Sequence, residues 1–266
     1  MFAETIDKFA ALGVSKAKAL NDNPIGYWIA AMMAGAYVGL GILLIFSLGS
    51  VMDPAVRPLV MGASFGLALI LVVVAGAELY TGLTMSMTLA ALERKTSWNA
   101  VGSVWAFSWL GNLAGSMLLA WLFVAGGGGI ITSAASEFIY KAAAAKMSLD
   151  PGALIARGIL CNWLVCLAIW MAARCTSDSG TMISIAWCLF AFIACGYEHS
   201  IANMTIFGVA LLSKHPDSVT WGGMVWNLLW VTIGHTIAGA TFRAGAYWVA
   251  SRPVAGERAA VRQAAE

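Results

Sequence analysis

The sequence is short of charge and of histidine. Charged residues make up 11% of its 266 residues, against 61% hydrophobic residues, and there are only three histidines. Soluble domains contain about 25% charged residues, so this composition excludes a soluble single-core domain and fits an integral membrane protein. The net charge of +2 gives no indication of a nucleic-acid partner.

The sequence also lacks the cysteine and histidine patterns of a disulfide framework or a metal site. Its five cysteines include no Cys-x-x-Cys pair, and most lie inside apolar segments, where they are expected as small core residues. There is no His-Glu-x-x-His motif and no Cys/His cluster, so we expect no metal and no cofactor. The remaining enzyme alternative would use Glu198 and His199 as acid and base or as metal ligands.

Long apolar segments are what the sequence has instead. Hydropathy places six of them at about residues 25–48, 59–92, 101–123, 152–173, 181–212 and 224–249. They predict an all-α integral membrane protein in which residues 25–250 form a six-span transmembrane domain. Residues 1–24 predict an amphipathic cytoplasmic helix with Phe2, Ile6 and Phe9 on one face. Residues 251–266 predict a cytoplasmic tail.

Lysine and arginine predict the orientation, because cytoplasmic loops carry the excess of both. One side of the six spans would hold Lys8, Lys16, Lys18, Arg94, Lys95, Arg174, Arg243, Arg252, Arg258 and Arg262. The other side would hold Arg57, Lys141, Lys146, Arg157 and Lys214. The asymmetry predicts a multi-pass protein of the cell inner membrane with both termini in the cytoplasm.

Two of the six segments are too long for one crossing. A helix over residues 181–212 would be roughly 48 Å long, against about 30 Å of bilayer hydrocarbon. Its centre is polar, from Gly196 to Met204, and Gly196 allows backbone angles that are closed to other residues. The segment 59–92 has a similar polar centre that begins at Glu78. We therefore predict that both spans are broken, with Glu198 and His199 near the middle of the membrane.

The two polar centres belong to a pattern that indicates an internal repeat. Glu78 and Glu198 are 120 residues apart, and Gly111-Asn112 in the third span matches Gly234-His235 in the sixth at an offset of 123 residues. A duplicated three-span unit has an odd number of spans, so its second copy is inverted, and the two breaks then meet near the midplane. The alternative is chance similarity between apolar segments. In the first span, Gly35 and Gly39 predict close approach of a neighbouring helix.

The central histidine has two interpretations. A lone histidine within a membrane often does no more than form a hydrogen bond between helices. Ionisable groups at this depth also line water-filled paths, and broken helices line such paths in transporters. We favour a pore or binding-site role for His199.

The polar stretches together strongly resemble the formate/nitrite transporter family. The residues that carry the resemblance are Gly196-Tyr197-Glu198-His199-Ser200-Ile201-Ala202-Asn203-Met204, the run from Cys161 to Met171, and Glu78-Leu79-Tyr80-Thr81. The resemblance covers about residues 23–250, and the runs around Gly35 and Cys161 look closest to the nitrite branch. It implies an aquaporin-like fold in the lipid bilayer, a homopentamer with one pore in each protomer, and passage of small monovalent anions or their conjugate acids.

The resemblance also implies roles for particular residues. By position, His199 looks like the central pore histidine, Thr81 its partner, and Asn162 a further lining residue. Lys146 looks like the lysine that makes the site electropositive. The implied pore also includes Glu198, Asn203 and His235, with one apolar constriction formed by Phe65, Leu69 and Phe192 and another by Leu79, Tyr80 and Val165. His235 departs from the family pattern, because many relatives have asparagine there, and it adds a second titratable group.

The expected mechanism follows from the cost of moving an ion through dry constrictions, which reaches tens of kcal/mol in the continuum limit. Lys146 and the helix ends would attract the anion, and His199 would serve either as a proton donor or as a cationic docking group. The anion would then cross as its acid or together with a proton. Nitrite is the preferred substrate, with formate or a related monocarboxylate as the alternative. A channel for neutral solutes is a third class.

Overall fold

The computed structural model describes residues 2–133 and 137–252, and every regular element in these two ranges is helical. The helices are α1 Ala3–Asp22, α2 Pro24–Val51, α3 Arg57–Ser64, α4 Gly66–Ile70, α5 Tyr80–Leu92, α6 Trp98–Ala125, α7 Phe138–Met147, α8 Pro151–Ala172, α9 Asp178–Ala194, α10 Ser200–Leu212, α11 Trp221–Ile237 and α12 Ala246–Ala250. Two π-helical segments, Leu71–Gly76 and Ala238–Gly245, follow α4 and α11. The tail predicted for residues 251–266 lies outside the described residues from residue 253 onward.

Four described helical stretches are long and apolar enough to cross a membrane: Pro24–Val51, Arg57–Gly76, Trp98–Ala125 and Pro151–Ala172. Asp178–Ala194 and Ser200–Leu212 are shorter apolar helices. The prediction of an all-helical protein with apolar helices is therefore confirmed. The π-helical segment Leu71–Gly76 is separated from α5, which begins at Tyr80, by a short non-helical stretch. A second such stretch separates the end of α9 at Ala194 from the start of α10 at Ser200.

Helices α2 and α6 pack closely because each has a glycine, which has no side chain, at their interface. A Cβ atom at Gly35 would lie 2.0 Å from the carbonyl oxygen of Asn112, and one at Gly115 would lie 1.8 Å from that of Met32. Ordinary Cβ contacts are 3.4 Å or longer. The backbones can approach this closely only with glycine at both positions.

Helix α1 lies against the rest of the chain with its apolar face. Ile6, Phe9 and Gly13 are buried, and Phe9 stacks on Trp170 of α8 with 5.6 Å between ring centroids. A Cβ at Gly13 would contact α5, so the helix axes are close there. Polar contacts surround this face, including Arg174 to the Thr5 hydroxyl at 2.9 Å. The amphipathic pattern of the sequence is therefore used for packing within the protein.

Polar bonds fix α1 to the loops beside it. The ammonium of Lys8 donates to the carbonyl of Ala173 at 3.0 Å, and Lys95 pairs with Asp7 at 2.8 Å. The hydrogen bond with Asp7 raises the pKa of Lys95. Both partners are largely exposed, so water screens this pair and it adds little to stability.

Candidate functional site

The first interruption of the helices lies between Gly76 and Tyr80. Gly76 has a φ of 84°, which a residue with a side chain rarely adopts, and it ends the π-helical segment. Asn112 of α6 satisfies the peptide groups that this interruption leaves free. Its amide donates to the carbonyls of Glu78 at 2.9 Å and Ala31 at 2.8 Å, and its oxygen accepts from the backbone N–H of Tyr80 at 3.0 Å.

The second interruption has the same construction. Gly196 has a φ of 69°, and the chain is then extended until α10 begins at Ser200. His235 takes the place of Asn112: its Nε2 lies 3.1 Å from the carbonyl oxygen of Glu198, and its Nδ1 lies 3.0 Å from the Ser200 hydroxyl. A carbonyl can only accept, so Nε2 of His235 carries a proton, and in the neutral ring Nδ1 accepts from the Ser200 hydroxyl. His235 thus braces the backbone of the second interruption, as Asn112 braces that of the first.

His199 is the N-cap residue of α10. The backbone N–H of Ala202 donates to its Nδ1 at 3.2 Å, so this nitrogen is an acceptor and the proton of the neutral ring lies on Nε2. Protonating Nδ1 would replace this bond by two opposed N–H groups at a helix N-terminus, where positive charge is disfavoured. The ring contacts Phe192 and His235, with centroid distances of 5.8 and 5.2 Å. The geometry therefore favours neutral imidazole with Nε2–H as its donor.

Thr81 lies in the first turn of α5, and Asn162 of α8 contacts this end of α5. Asn162 of α8 donates to the carbonyl of His235 at 2.8 Å and to the Thr84 hydroxyl at 3.0 Å, and the Thr81 carbonyl lies 3.4 Å from the same nitrogen. Its side chain is fully buried, so it joins α5, α8 and α11. The Thr81 hydroxyl is buried without a hydrogen-bond partner, and no hydrogen bond joins it to His199 within the described ranges. The expected Thr81–His199 pairing is therefore absent as a direct bond, and the Thr81 hydroxyl keeps its hydrogen-bonding capacity for another group.

Glu198 is a buried carboxylate with a full set of partners. Lys146 Nζ lies 2.8 Å from one oxygen, and the Asn203 amide donates to the other at 2.6 Å. Asn227 of α11 lies 3.4 Å from that second oxygen and also donates to the Lys146 carbonyl at 2.9 Å. Lys146, expected to make the site electropositive, is thus largely neutralised by an adjacent acid.

Glu78, the corresponding acid of the first interruption, also pairs with a lysine but has fewer partners than Glu198. Lys16 of α1 lies 2.5 Å from one oxygen of Glu78, and the other oxygen is buried without a partner. Sequence reasoning named Glu78 but missed its partner, because Lys16 lies 62 residues earlier in a different helix. It also missed Asn227, although an amide within the apolar run 224–249 was a signal for a buried polar contact.

Two cavities adjoin the interruptions. The larger, about 620 Å³, opens beside α1 and is lined by Lys16 and Glu78. The smaller, about 10 Å³, is lined by Val38, Phe65, Ala68, Leu69, Leu79, Val165, Leu189, Phe192 and His199. It offers space for about one water molecule at most. Leu69, Leu79 and Val165 line both cavities, so they form the boundary between them.

Five of the six expected constriction residues therefore surround one small apolar cavity beside His199. Phe65 and Phe192 meet edge to face there, with 5.6 Å between their centroids. Tyr80 lines neither of the two cavities, and its hydroxyl lies 2.7 Å from that of Thr236. The polar groups His199, Glu198, Asn203 and His235 are close together, whereas Tyr80 belongs to the packing between α5 and α11.

One sequence pattern of hydrolases occurs in the chain without the matching structure. Residues 62–66 read Gly-Ala-Ser-Phe-Gly, which fits the Gly-x-Ser-x-Gly pattern of a nucleophile elbow. Ser64 is instead the last residue of α3, and its hydroxyl donates to the Val60 carbonyl at 2.9 Å. An elbow requires a turn between a strand and a helix, so this serine is not in the context of a nucleophile.

The chain is similar to known transport proteins over nearly its whole length. The family model described as formate/nitrite transporter matches residues 3–249. The nitrite transporter NirC of Escherichia coli is 49% identical over 259 residues, which cover 96% of each chain. A solved structure described as an FNT family ion channel is 48% identical, with a TM-score of 0.92 over 94% of this chain and 100% of that chain. A solved structure described as a pentameric formate channel with formate bound is 26% identical. Its TM-score is 0.71, over 84% of this chain and 96% of that chain.

Proposed function

The chain belongs to the formate/nitrite transporter family, and on this premise we propose that it carries small monovalent anions across a membrane, with nitrite as its main substrate. Identity to a protein named as a nitrite transporter supports nitrite. Formate is the second candidate, because a structural neighbour holds formate. The relatives compared are named as transporters or channels, so the enzyme alternative and the neutral-solute channel have no support from them.

The observation that carries the proposal is the group of polar donors at the two interrupted spans. Helices α5 and α10 both begin there, at Tyr80 and Ser200, and helix N-termini attract negative charge. Beside them are the Nε2–H of His199 and the unpartnered hydroxyl of Thr81, both hydrogen-bond donors. Donors without acid partners, at the ends of two half-helices, suit a small anion.

His199 in this proposal is a neutral hydrogen-bond donor. A neutral imidazole cannot give up its remaining proton at physiological pH without becoming an anion, so it does not supply a proton by itself. The Phe65 and Phe192 side chains make the path beside it narrow and apolar, which disfavours a bare ion. A proton that crosses with the anion therefore comes from water outside the constriction, and His199 binds the substrate in transit.

Contacts at the two ends of the molecule support six spans. Lys8 meets Ala173, Lys95 meets Asp7, and Trp248 donates to Glu93 at 2.7 Å, so the chain segments around these residues share one end. At the other end Arg57 lies over the Phe138 ring at 4.2 Å, and Trp226 donates to the Leu149 carbonyl. The chain would then pass between the ends six times, as two inverted three-span units with residues 25–250 as the pore domain.

The proposed assembly is a homopentamer in the inner membrane. The pentameric formate channel supports that assembly. Large apolar side chains such as Trp187 and Val225, each 66% exposed in a single protomer, are available for lipid or neighbouring protomers. The end that contains α1 would face the cytoplasm.

The test is flux into proteoliposomes. Purified protein should accelerate nitrite entry over protein-free vesicles, without accelerating water entry measured by light scattering. Formate should compete with nitrite if both use one path. Absence of nitrite and formate flux from correctly assembled protein, or flux of water alone, would reject the proposal.

A further inference from the structure

Outside the two interruptions, the chain has a buried arginine that lacks an acidic partner. Arg243 lies in the π-helical segment Ala238–Gly245 and is 3% exposed. Within the described ranges it makes no ion pair, and its Nε and Nη2 atoms are buried without hydrogen-bond partners. Arginine stays protonated in proteins, so the position carries a permanent positive charge.

Aromatic rings are the nearest groups that stabilise this guanidinium. It lies 4.4 Å from the ring centroid of Tyr247 and 5.6 Å from that of Trp170. Such contacts hold a cation without cancelling its charge, because the ring is neutral. The positive field of Arg243 therefore reaches its surroundings unbalanced, through a medium with little water to screen it.

Each of the two lysines near the pore has an acid beside it, unlike Arg243. Lys146 is 2.8 Å from Glu198, and Lys16 is 2.5 Å from Glu78, so each lysine forms a pair with little net charge. Among the described residues, Glu198 and Arg243 are the charged side chains that are buried, and only Arg243 has no opposite charge beside it.

The neighbours of Arg243 connect it to the proposed path at Thr81. Gly239, one helical turn before Arg243, lies against the Thr84 hydroxyl, which donates to the Thr81 carbonyl at 2.6 Å. On α8, Cys166 precedes Trp170 by one turn, and its thiol is 3.6 Å from the same carbonyl. Arg243 thus lies beyond Thr84 and Cys166 as seen from Thr81, next to Trp170, on which Phe9 of α1 stacks.

We infer that Arg243, as an unpaired buried cation, raises the occupancy of anions at the centre of the path. The inference rests on the proposed function. Arg243 acts at a distance, so it is a residue that sets the potential and does not contact the substrate. A charge on the order of 10 Å away at an effective dielectric constant of about 20 changes anion occupancy roughly tenfold.

The test compares three variants with the wild type in proteoliposomes. Arg243→Met keeps an unbranched side chain but removes the charge, and we expect the KM for nitrite to rise roughly three- to tenfold with a smaller change in maximal rate. Arg243→Lys keeps the charge and should restore KM to within about twofold of wild type. The matched control is Arg252→Met, since Arg252 also stacks on a tryptophan but is exposed and paired with Glu93 at 3.0 Å. That control should leave KM unchanged.

A purely structural role predicts other results. A structural role predicts a lower unfolding temperature for Arg243→Met. The inference predicts an equal or higher temperature, because the variant replaces an unpaired buried charge by an apolar side chain. An unchanged KM in assembled Arg243→Met, or equal loss in the Met and Lys variants, would overturn the inference. Arg243→Gln, measured in parallel, applies the same criteria if the Met variant does not assemble. Wild-type protein without nitrite or formate flux would instead overturn the proposed function.

Discussion

At the scale of single residues, His199 combines two roles that substitution can separate. It caps α10 through Nδ1 and, in the proposed function, offers Nε2–H to the anion. Asparagine is a good N-cap but has a shorter side chain. We expect His199→Asn to assemble normally and to lose at least about tenfold in nitrite flux, the effect of losing one hydrogen bond to a charged group. His199→Phe should also lose the cap, which costs about 1 kcal/mol.

The pH profile of the same variant tests whether His199 titrates during transport. A neutral donor does not change charge between about pH 5 and 8, the range in which free histidine does. The remaining flux of His199→Asn should therefore keep the shape of the wild-type profile. A flat profile in this variant, and in the double variant His199→Asn with His235→Asn, would show that imidazole protonation is part of the mechanism.

His235 provides a second comparison at this scale. Its bond to the Glu198 carbonyl matches the bond from Asn112 to the Glu78 carbonyl. His235→Asn should therefore be tolerated in both stability and transport, since an amide performs this task at the other interruption. His235→Leu leaves the carbonyl without a donor and should cost about 1–3 kcal/mol. Unfolding temperatures in detergent measure both, and equal stability of the Leu variant would contradict the bracing role.

At the scale of elements, the contact of α2 with α6 depends on glycine. Gly115→Ala would place a methyl group 1.8 Å from the Met32 carbonyl oxygen, which forces the two helices apart. We expect a loss of several kcal/mol and poor assembly. Gly102→Ala on the same helix is the control, because nothing lies within 4 Å of its added Cβ. It should be neutral or stabilising by up to about 1 kcal/mol. Similar yields of assembled protein from both variants would disprove the close packing.

The elements also show what sequence can and cannot predict. The family assignment is confirmed, and Gly196 does adopt the left-handed backbone that its place in a polar stretch predicted. The partner of Glu78 was not predictable, since a charged pair between distant helices leaves no periodic signal. The acceptor state of His199 Nδ1 likewise depends on a backbone N–H that becomes free only where α10 starts.

At the scale of the whole molecule, the basic residues separate between its two ends. Lys8, Lys95 and Arg252 belong to the end that carries α1, together with Arg174, whereas Arg57 and Lys146 belong to the other. Each interruption has an acid that pairs with a lysine, Glu78 with Lys16 and Glu198 with Lys146. The approaches differ, however, because the cavity of about 620 Å³ opens at the α1 end, beside Lys16 and Glu78.

The orientation of these ends in the membrane is the last prediction. Cytoplasmic loops are enriched in lysine and arginine, so the α1 end, which is richer in both, should face the cytoplasm. Green fluorescent protein fused after Glu266 should fluoresce, because it folds in the cytoplasm. Alkaline phosphatase inserted after Lys214 should be active, since it requires the periplasm, and the same insertion after Lys95 should be inactive as the matched control. The opposite pattern, with an active phosphatase after Lys95 and a dark carboxyl-terminal fusion, would invert the protein and assign Lys16 and Glu78 to the periplasmic entrance.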